Sequence, residues 1–311
     1  MTQRELWQEL GCLQRPNQIW QEPFDDVDRN RYERLCHLCE TEAKLPGRDG
    51  PFDLDNYFED LTYGGEVQPD LLLFLLPLCL RAWSMNLLRE TAYYSIYAER
   101  FWVAWKKVPW RTLFDVFSET QRSAFDRYVS ETIIEAIDRG RTLRSKRNQH
   151  YCYGWTSEIA SFAIVRPALP RLFHTWWGLE TEGRAIGALQ YISTLMYDDK
   201  RNPIFPAWTP EQGGGAPHPW EDSMPFKDQP WDPVNINFLQ EFLVPSRLLA
   251  AINRSAERLT GAEDQEIARR MEADFEHQAP LLERRLEQLP AILSSDETIV
   301  DWPGSDRSKR D

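Results

Sequence analysis

The sequence lacks a hydrophobic stretch long enough to cross a membrane. Its longest apolar run extends from Leu71 to Leu80 and ends at Arg81. A bilayer span needs about 20 apolar residues, whereas a run of about 10 to 14 is typical of a buried core helix. Apolar residues continue beyond Arg81, at Trp83 and Leu87. The pattern therefore predicts one long helix that is covered by neighbours on most sides.

The sequence also lacks the short motifs that mark common active sites. None of its five histidines forms a His-Glu-x-x-His pair, and no Gly-x-Ser-x-Gly or Gly-x-x-x-x-Gly-Lys sequence is present. The glycines 213–215 are followed by Ala216 and Pro217, which predicts a hinge rather than a phosphate-binding loop. We therefore expect no enzymatic activity, no catalytic residues and no cofactor.

Cysteine is too scarce and too scattered for a disulfide-stabilised secreted fold. There are five cysteines, and only Cys36 and Cys39 lie close together. Two thiolates three residues apart on a helix could share a metal, but a closed zinc site needs four ligands. Because Leu35 and Ala43 share their apolar stripe, burial of both cysteines in the core is the alternative. We predict no metal site, although the sequence alone leaves this choice open.

Basic residues are fewer than acidic ones, 36 against 49, so the formal net charge is −13 at pH 7. Such a charge disfavours nucleic acid and anionic membranes and favours a basic partner. Residues 139–155 combine basic and aromatic side chains as nucleic-acid contacts do, but cations at a helix C-terminus are the alternative. The first residues carry no apolar h-region of a signal peptide. We therefore expect a cytoplasmic protein that binds neither nucleic acid nor membrane.

Helix-forming patterns cover most of the chain and predict an all-α fold. We expect about ten to twelve helices, as stacked α-hairpins or a helical bundle, in a single domain over residues 1–293. Residues 294–311 are polar, and we expect them to form a flexible tail. Ser118 with Gln121, and Thr260 with Glu263, have the spacing of capping boxes. Pro77 is expected to kink or divide the apolar helix, and Pro280 is expected to separate a last amphipathic pair of helices.

One long insertion, residues 198–234, interrupts this helical pattern. It is rich in proline, glycine and tryptophan, and loops beyond about 12–15 residues are usually functional or disordered. Tryptophans often dominate protein interfaces. The predicted partner contacts are Trp208, Trp220, Glu221, Asp222 and Trp231. In the alternative, these tryptophans only pack the insertion against the helices. The insertion is therefore a binding loop in the first reading and a structural lid in the second.

Two groups of aspartates resemble the metal-binding motifs of class I isoprenoid synthases, which are also all-helical. They are Asp25, Asp26 and Asp28, and the pair Asp198 and Asp199. In that family, such carboxylates share magnesium ions that bind a diphosphate. Arg29 replaces the final aspartate of the first motif. A magnesium-dependent all-α enzyme is thus the first alternative function, and helix-start or solvent-facing aspartates are the simpler reading.

Residues 53–88 place an acidic-aromatic segment and a Gly64-Gly65 turn before the helix that contains Leu76 and Pro77. This arrangement resembles bacterial all-helical immunity-type proteins that are encoded beside polymorphic toxins. The resemblance implies a module that binds and occludes a toxin domain, and it assigns no functional residue. The negative net charge predicts that such a partner is basic. Our leading hypothesis is therefore an immunity protein, or antitoxin. The second alternative is a structural subunit of a complex. The sequence leaves the oligomeric state and the partner's identity open.

Overall fold

The computed structural model describes thirteen parts of the chain, which are residues 3–10, 16, 18–19, 22–23, 25–40, 68–88, 115–144, 155–156, 158–159, 162–163, 169–197, 201–205 and 231–294. Nine α-helices lie in these parts: α1 (Gln3–Leu10), α2 (Asp26–Glu40), α3 (Pro69–Leu87), α4 (Glu119–Asp138), α5 (Leu169–Trp176), α6 (Glu182–Met196), α7 (Pro233–Phe242), α8 (Pro245–Arg258) and α9 (Ala262–Ser294). Two short strands, β1 (Gln18–Ile19) and β2 (Glu22–Pro23), pair antiparallel. The all-α prediction is confirmed, and the described parts alone contain nine helices, slightly fewer than the ten to twelve expected for the whole chain.

The chain divides into two compact units. The first comprises Met1–Arg89 and Tyr93–Thr132, and the second comprises Glu90–Ala92 and Ile133–Asp311. Helices α1 to α3 belong to the first unit, α5 to α9 belong to the second, and α4 contributes residues to each. That residues 1–293 act as a single domain stays a prediction.

The apolar helix α3 forms the core of the first unit, where it packs against α1 and α2. Leu71, Leu76 and Leu80 are 0% exposed, which confirms the burial predicted from the apolar run. Tyr32 on α2 stacks on Phe74 and donates a hydrogen bond of 2.9 Å to its carbonyl oxygen. The helix passes through Pro77 as one element, so the alternative that this proline divides it is wrong.

The start of α4 contains the capping box predicted at Ser118. The Ser118 backbone N–H donates to Gln121 Oε1 at 2.9 Å, and the Gln121 N–H donates to Ser118 Oγ at 3.3 Å. Gln121 also donates from Nε2 to the Leu10 carbonyl oxygen at 2.6 Å. One side chain therefore caps α4 and attaches it to the end of α1.

Helix α6 is the central element of the second unit, and all its residues except Glu182 and Arg184 are buried. It packs against α8 and α9. Thr181 caps its start by accepting a hydrogen bond of 3.1 Å from the Arg184 N–H. Gly183 and Gly187, one turn apart, face the end of α4 and let the two helices approach closely.

Helix α9 continues through Pro280 and Pro290, so the predicted interruption at Pro280 is wrong. A proline inside a helix forfeits one backbone hydrogen bond. Buried apolar residues lie on one side of α9 before and after Pro280, and their packing offsets that loss. They include Met271, Leu282 and Leu289.

The residues just before the insertion, and Trp231 near its far end, are attached to α9. Arg285, which is 1% exposed, donates from Nη1 to the carbonyl oxygens of Thr194, Leu195 and Tyr197 at 3.1, 2.7 and 2.9 Å. At the other end, the Trp231 N–H donates to the Leu293 carbonyl oxygen at 2.8 Å. Residues 206–230 lie outside the described residues.

Among the helices that the structure describes, none is long and apolar enough to cross a membrane.

Candidate partner-binding surface

The outer side of α9 carries a row of four exposed glutamates, Glu272, Glu276, Glu283 and Glu287. With about 100° per residue, this spacing places all four within about 60° of arc, over about 22 Å of helix. None of them forms a hydrogen bond or ion pair with another described residue. We call these four residues the acidic row.

The four arginines of α9 form their hydrogen bonds and ion pairs with other groups, and none pairs with the acidic row, although Arg269 lies one turn before Glu272 on the same face. Arg269 pairs with Glu266 at 2.6 Å, and Arg270 lies 3.5 Å from Asp274. Arg284 donates to the Pro280 carbonyl oxygen at 3.2 Å, while Arg285 is buried against the end of α6. Among the residues that the structure describes, no cation forms an ion pair with the row.

A second polar group lies where the end of α4 meets the start of α6. Arg184 forms a bidentate salt bridge with Asp138, with Nε–Oδ1 and Nη2–Oδ2 distances of 3.1 and 3.2 Å. Thr181 Oγ1 also donates to Asp138, and Glu180 lies 3.1 Å from Arg184. Because these groups bind one another, the arrangement serves to join two helix ends, and it leaves no carboxylate positioned as a base.

Glu182 and Thr260 join the start of α6 to the residues before α9. The Thr260 backbone N–H and hydroxyl both donate to Glu182 Oε1 at 2.6 Å. The capping box predicted from Thr260 and Glu263 is wrong, because Thr260 donates to Glu182 and α9 begins only at Ala262. Glu263 instead lies 3.6 Å from Arg144.

The hydrogen bonds from Thr260, helped by the nearby Arg141 charge, hold the pKa of Glu182 below its usual value. A lowered pKa stabilises the fold above the unfolded-state pKa, and this stability is lost as the pH falls through the folded-state pKa. We expect Glu182→Gln to lower the free energy of unfolding by about 1 kcal/mol at pH 7, a figure discounted for solvent exposure. Urea titrations at pH 7 should show this difference, and titrations well below the usual carboxyl pKa should not.

The matched control is Glu257→Gln on α8, where the side chain is exposed and forms no hydrogen bond or ion pair with the described residues. It should change stability by no more than about 0.5 kcal/mol at either pH. A loss for Glu182→Gln that persists unchanged at low pH would refute the ionic origin of the effect.

Asp264 in the first turn of α9 attaches the segment after α4. It is 7% exposed, and its Oδ1 accepts a hydrogen bond of 3.0 Å from the Leu143 N–H. Burial raises the pKa of Asp264, although the Leu143 hydrogen bond works in the opposite direction. This carboxylate is thus engaged by backbone and belongs to the packing of α9.

Four of the five predicted partner contacts, Trp208, Trp220, Glu221 and Asp222, lie outside the described residues. The fifth, Trp231, is 2% exposed and is among the largest fully buried side chains. Its burial agrees with the alternative in which the tryptophans seal the insertion against the helices. A role for these five residues in partner binding stays a prediction.

Among the aspartates that suggested a magnesium site, Asp25 has a role in helix structure. Asp25 Oδ1 accepts a hydrogen bond of 2.7 Å from the Val27 N–H at the start of α2, as a helix-start residue does. Asp198 and Asp199, and the side chain of Asp28, lie outside the described residues. The described residues contain no group of three or more His, Cys, Asp or Glu side chains that could hold a metal ion.

The described arginines of the basic stretch, Arg139, Arg141 and Arg144, form contacts inside the protein. Arg139 pairs with Glu135 at 2.7 Å, and Arg141 donates to the Asp138 and Gly140 carbonyl oxygens at the end of the helix. Arg144 donates to the Pro203 carbonyl oxygen at 2.7 Å. These contacts match the helix C-terminus reading. Residues 145–154, and the side chains of Cys36 and Cys39, are outside the described residues.

Comparisons with known proteins yield no relative. No protein-family model, no curated protein and no solved structure matches this chain.

Sequence reasoning missed the acidic row. The signal was available, since the intervals of four, seven and four residues from Glu272 to Glu287 place the side chains on one helical face. It was obscured because Pro280, between the second and third glutamates, predicted two helices. Only a continuous α9 aligns the two pairs.

Proposed function

We propose that this chain is an acidic protein-binding module whose acidic row on α9 contacts a basic partner protein. In its most concrete form, the proposal is an immunity protein that neutralises a toxin domain by occluding it in the bacterial cytoplasm. The observation that carries the proposal is the acidic row itself, four exposed carboxylates with which no described cation forms an ion pair. A row of exposed carboxylates suits contact with a cationic surface, whereas Asp138, Glu182 and Asp264 are engaged in contacts that join helix ends.

The charge of the whole chain supports the same partner chemistry. A net charge of −13 accelerates encounter with a positively charged surface, and complementary charges at the contact then select the partner. A row about 22 Å long can face several lysine or arginine side chains at once. Binding should therefore weaken as salt is added, because exposed charges are screened within about 10 Å at 0.1 M.

The test uses the protein encoded by the neighbouring reading frame as the binding partner. Glu276→Lys with Glu283→Lys reverses the middle of the acidic row. We expect the dissociation constant to rise at least tenfold, which is about 1.4 kcal/mol, and the rescue of growth on co-expression to be lost. Calorimetric titration at two salt concentrations measures the first effect.

The matched control is Glu131→Lys with Glu257→Lys, which changes the net charge equally at exposed positions on α4 and α8. It should retain most of the affinity. If the wild-type chain forms no complex with the neighbouring protein and gives no rescue of growth, the immunity hypothesis is refuted. Equal loss in both double variants would refute the acidic row as the contact.

A further inference from the structure

Helix α8 carries three exposed arginines in line, Arg247, Arg254 and Arg258. Their intervals of seven and four residues place them within about 40° of arc, over about 17 Å of helix. We call these three residues the basic row. A different side of α8, which includes Leu248 and Ile252, is buried in the second unit. The basic row is therefore open to solvent.

None of the three arginines forms an ion pair with a carboxylate among the described residues. Arg247 stacks over the Phe242 ring at 4.5 Å and donates from Nη1 to the Phe242 carbonyl oxygen at 3.3 Å. Arg254 donates from Nη2 to the Gly178 carbonyl oxygen at 2.8 Å, and the Arg258 side chain forms no hydrogen bond in the described parts. A guanidinium has five N–H donors, so each arginine retains donors for a carboxylate that approaches from outside.

The basic row has the same spacing as three members of the acidic row on α9. Glu276, Glu283 and Glu287 follow one another at intervals of seven and four residues, as do the three arginines. Both sets therefore cover about 17 Å of helix. If the two helices lie side by side and parallel, each arginine of one is opposite a glutamate of the other. The two rows are thus complementary in charge and in spacing.

The neighbouring charges on the two helices lie outside this match. Glu257, the exposed acid of α8, lies at least about 60° around the helix from the basic row, and Arg284 lies at least about 60° around α9 from the three glutamates. Arg269 precedes the first of these glutamates by seven residues. Within the matched spans, each arginine therefore faces a glutamate.

We propose that the basic row of one copy of this chain binds the acidic row of a second copy. Within one copy the two rows form no ion pairs with each other, so both remain available. The net charge of −13 repels a second copy at long range, but salt at about 0.15 M screens that repulsion beyond about 8 Å, whereas paired charges lie within about 4 Å. Exposed ion pairs are individually weak, so the contact belongs to the small, transient class of interfaces.

The contact also has a consequence for the partner described above. A basic partner protein and a second copy compete for the same acidic row, so each lowers the apparent affinity of the other. This competition rests on the proposed function, whereas self-association does not.

The test measures self-association of the full-length chain alone, by sedimentation equilibrium up to about 1 mM protein. Arg254→Glu with Arg258→Glu should raise the dissociation constant at least tenfold, because like charges then meet at the contact. Glu283→Lys with Glu287→Lys should have the same effect. An equimolar mixture of these two double variants should associate again, because the reversed charges of one then meet those of the other.

Arg34→Glu with Arg171→Glu is the matched control, since it makes the same charge change at exposed arginines on α2 and α5. It should leave the dissociation constant within about twofold of the wild-type value. Salt at about 1 M should dissociate the wild-type chain, because screening then acts within about 3 Å. Circular dichroism of each variant confirms that the helices are retained.

Three results would overturn the proposal: a wild-type chain that stays monomeric throughout, an equal loss of association in the control, or a mixture that does not associate. No other protein is present in this test, so its failure leaves the proposed contact with a toxin domain in place. Conversely, a chain that self-associates but does not bind the neighbouring protein refutes only the proposed function.

Discussion

Replacing Gly183 with alanine should destabilise the second unit by about 3 kcal/mol, the upper part of the usual range for overpacking. A Cβ atom at this position would lie 2.6 Å from the carbonyl carbon and 2.7 Å from the Cα of Asp138, and it would also strike the Asp138 carbonyl oxygen. These are backbone atoms at the end of α4, so they cannot rotate away. Thermal unfolding should show a midpoint roughly 6–12 °C lower.

Gly187→Ala is the matched control, because Gly187 lies one turn further along the same helix. A Cβ atom there would lie 2.8 Å from Ile137 Cγ2, which belongs to a side chain that can adjust. Alanine also gains up to about 1 kcal/mol of helix propensity over glycine. Its net loss should be about 1 kcal/mol or less, and equal midpoints for the two variants would show that α4 and α6 do not approach as described.

Arg285→Met should cost about 3 kcal/mol or more. The substitution leaves the carbonyl oxygens of Thr194, Leu195 and Tyr197 without the guanidinium that binds them in the interior. An unsatisfied buried acceptor costs about 1–3 kcal/mol, and the cation also stabilises the negative end of the α6 dipole. Equilibrium unfolding in urea, monitored by tryptophan fluorescence, provides the measurement.

The adjacent Arg284 supplies the comparison for that measurement. It is exposed and makes one hydrogen bond, to the Pro280 carbonyl oxygen, so Arg284→Met should change stability by no more than about 0.5 kcal/mol. Addition of salt should not reduce the Arg285→Met effect, because buried charges are poorly screened. Similar unfolding midpoints for the two variants would show that the three hydrogen bonds from Arg285 to the carbonyl oxygens at the end of α6 do not stabilise the fold.

Local patterns predicted the parts of the fold that depend on neighbouring residues. The run from Leu71 to Leu80 predicted a buried helix, and the described helix is buried as expected. Ser118 and Gln121 predicted a capping box, and both of its hydrogen bonds are present. In each example, the deciding interactions lie within a few helical turns of the residues concerned.

Predictions failed where distant residues decide the outcome. Thr260 and Glu263 have capping-box spacing, but Thr260 instead donates two hydrogen bonds to Glu182. Glu182 lies 78 residues earlier in the chain, so a local sequence pattern could not predict this contact. The burial of Arg285 could not be inferred either, because its three acceptors are about ninety residues earlier. Of the predicted site, only Trp231 is described, and its burial follows from tertiary packing rather than from composition.

The attachments of α9 have a consequence for synthesis of the protein on the ribosome. Residues 197 and 231 are both bound by α9, to Arg285 and Leu293 respectively, so neither contact can form until this late helix has been translated. Domains fold as units during translation, and incompletely packed intermediates expose apolar surface that promotes aggregation. The nascent second unit should thus need protection by chaperones until α9 emerges, and the first unit should fold earlier.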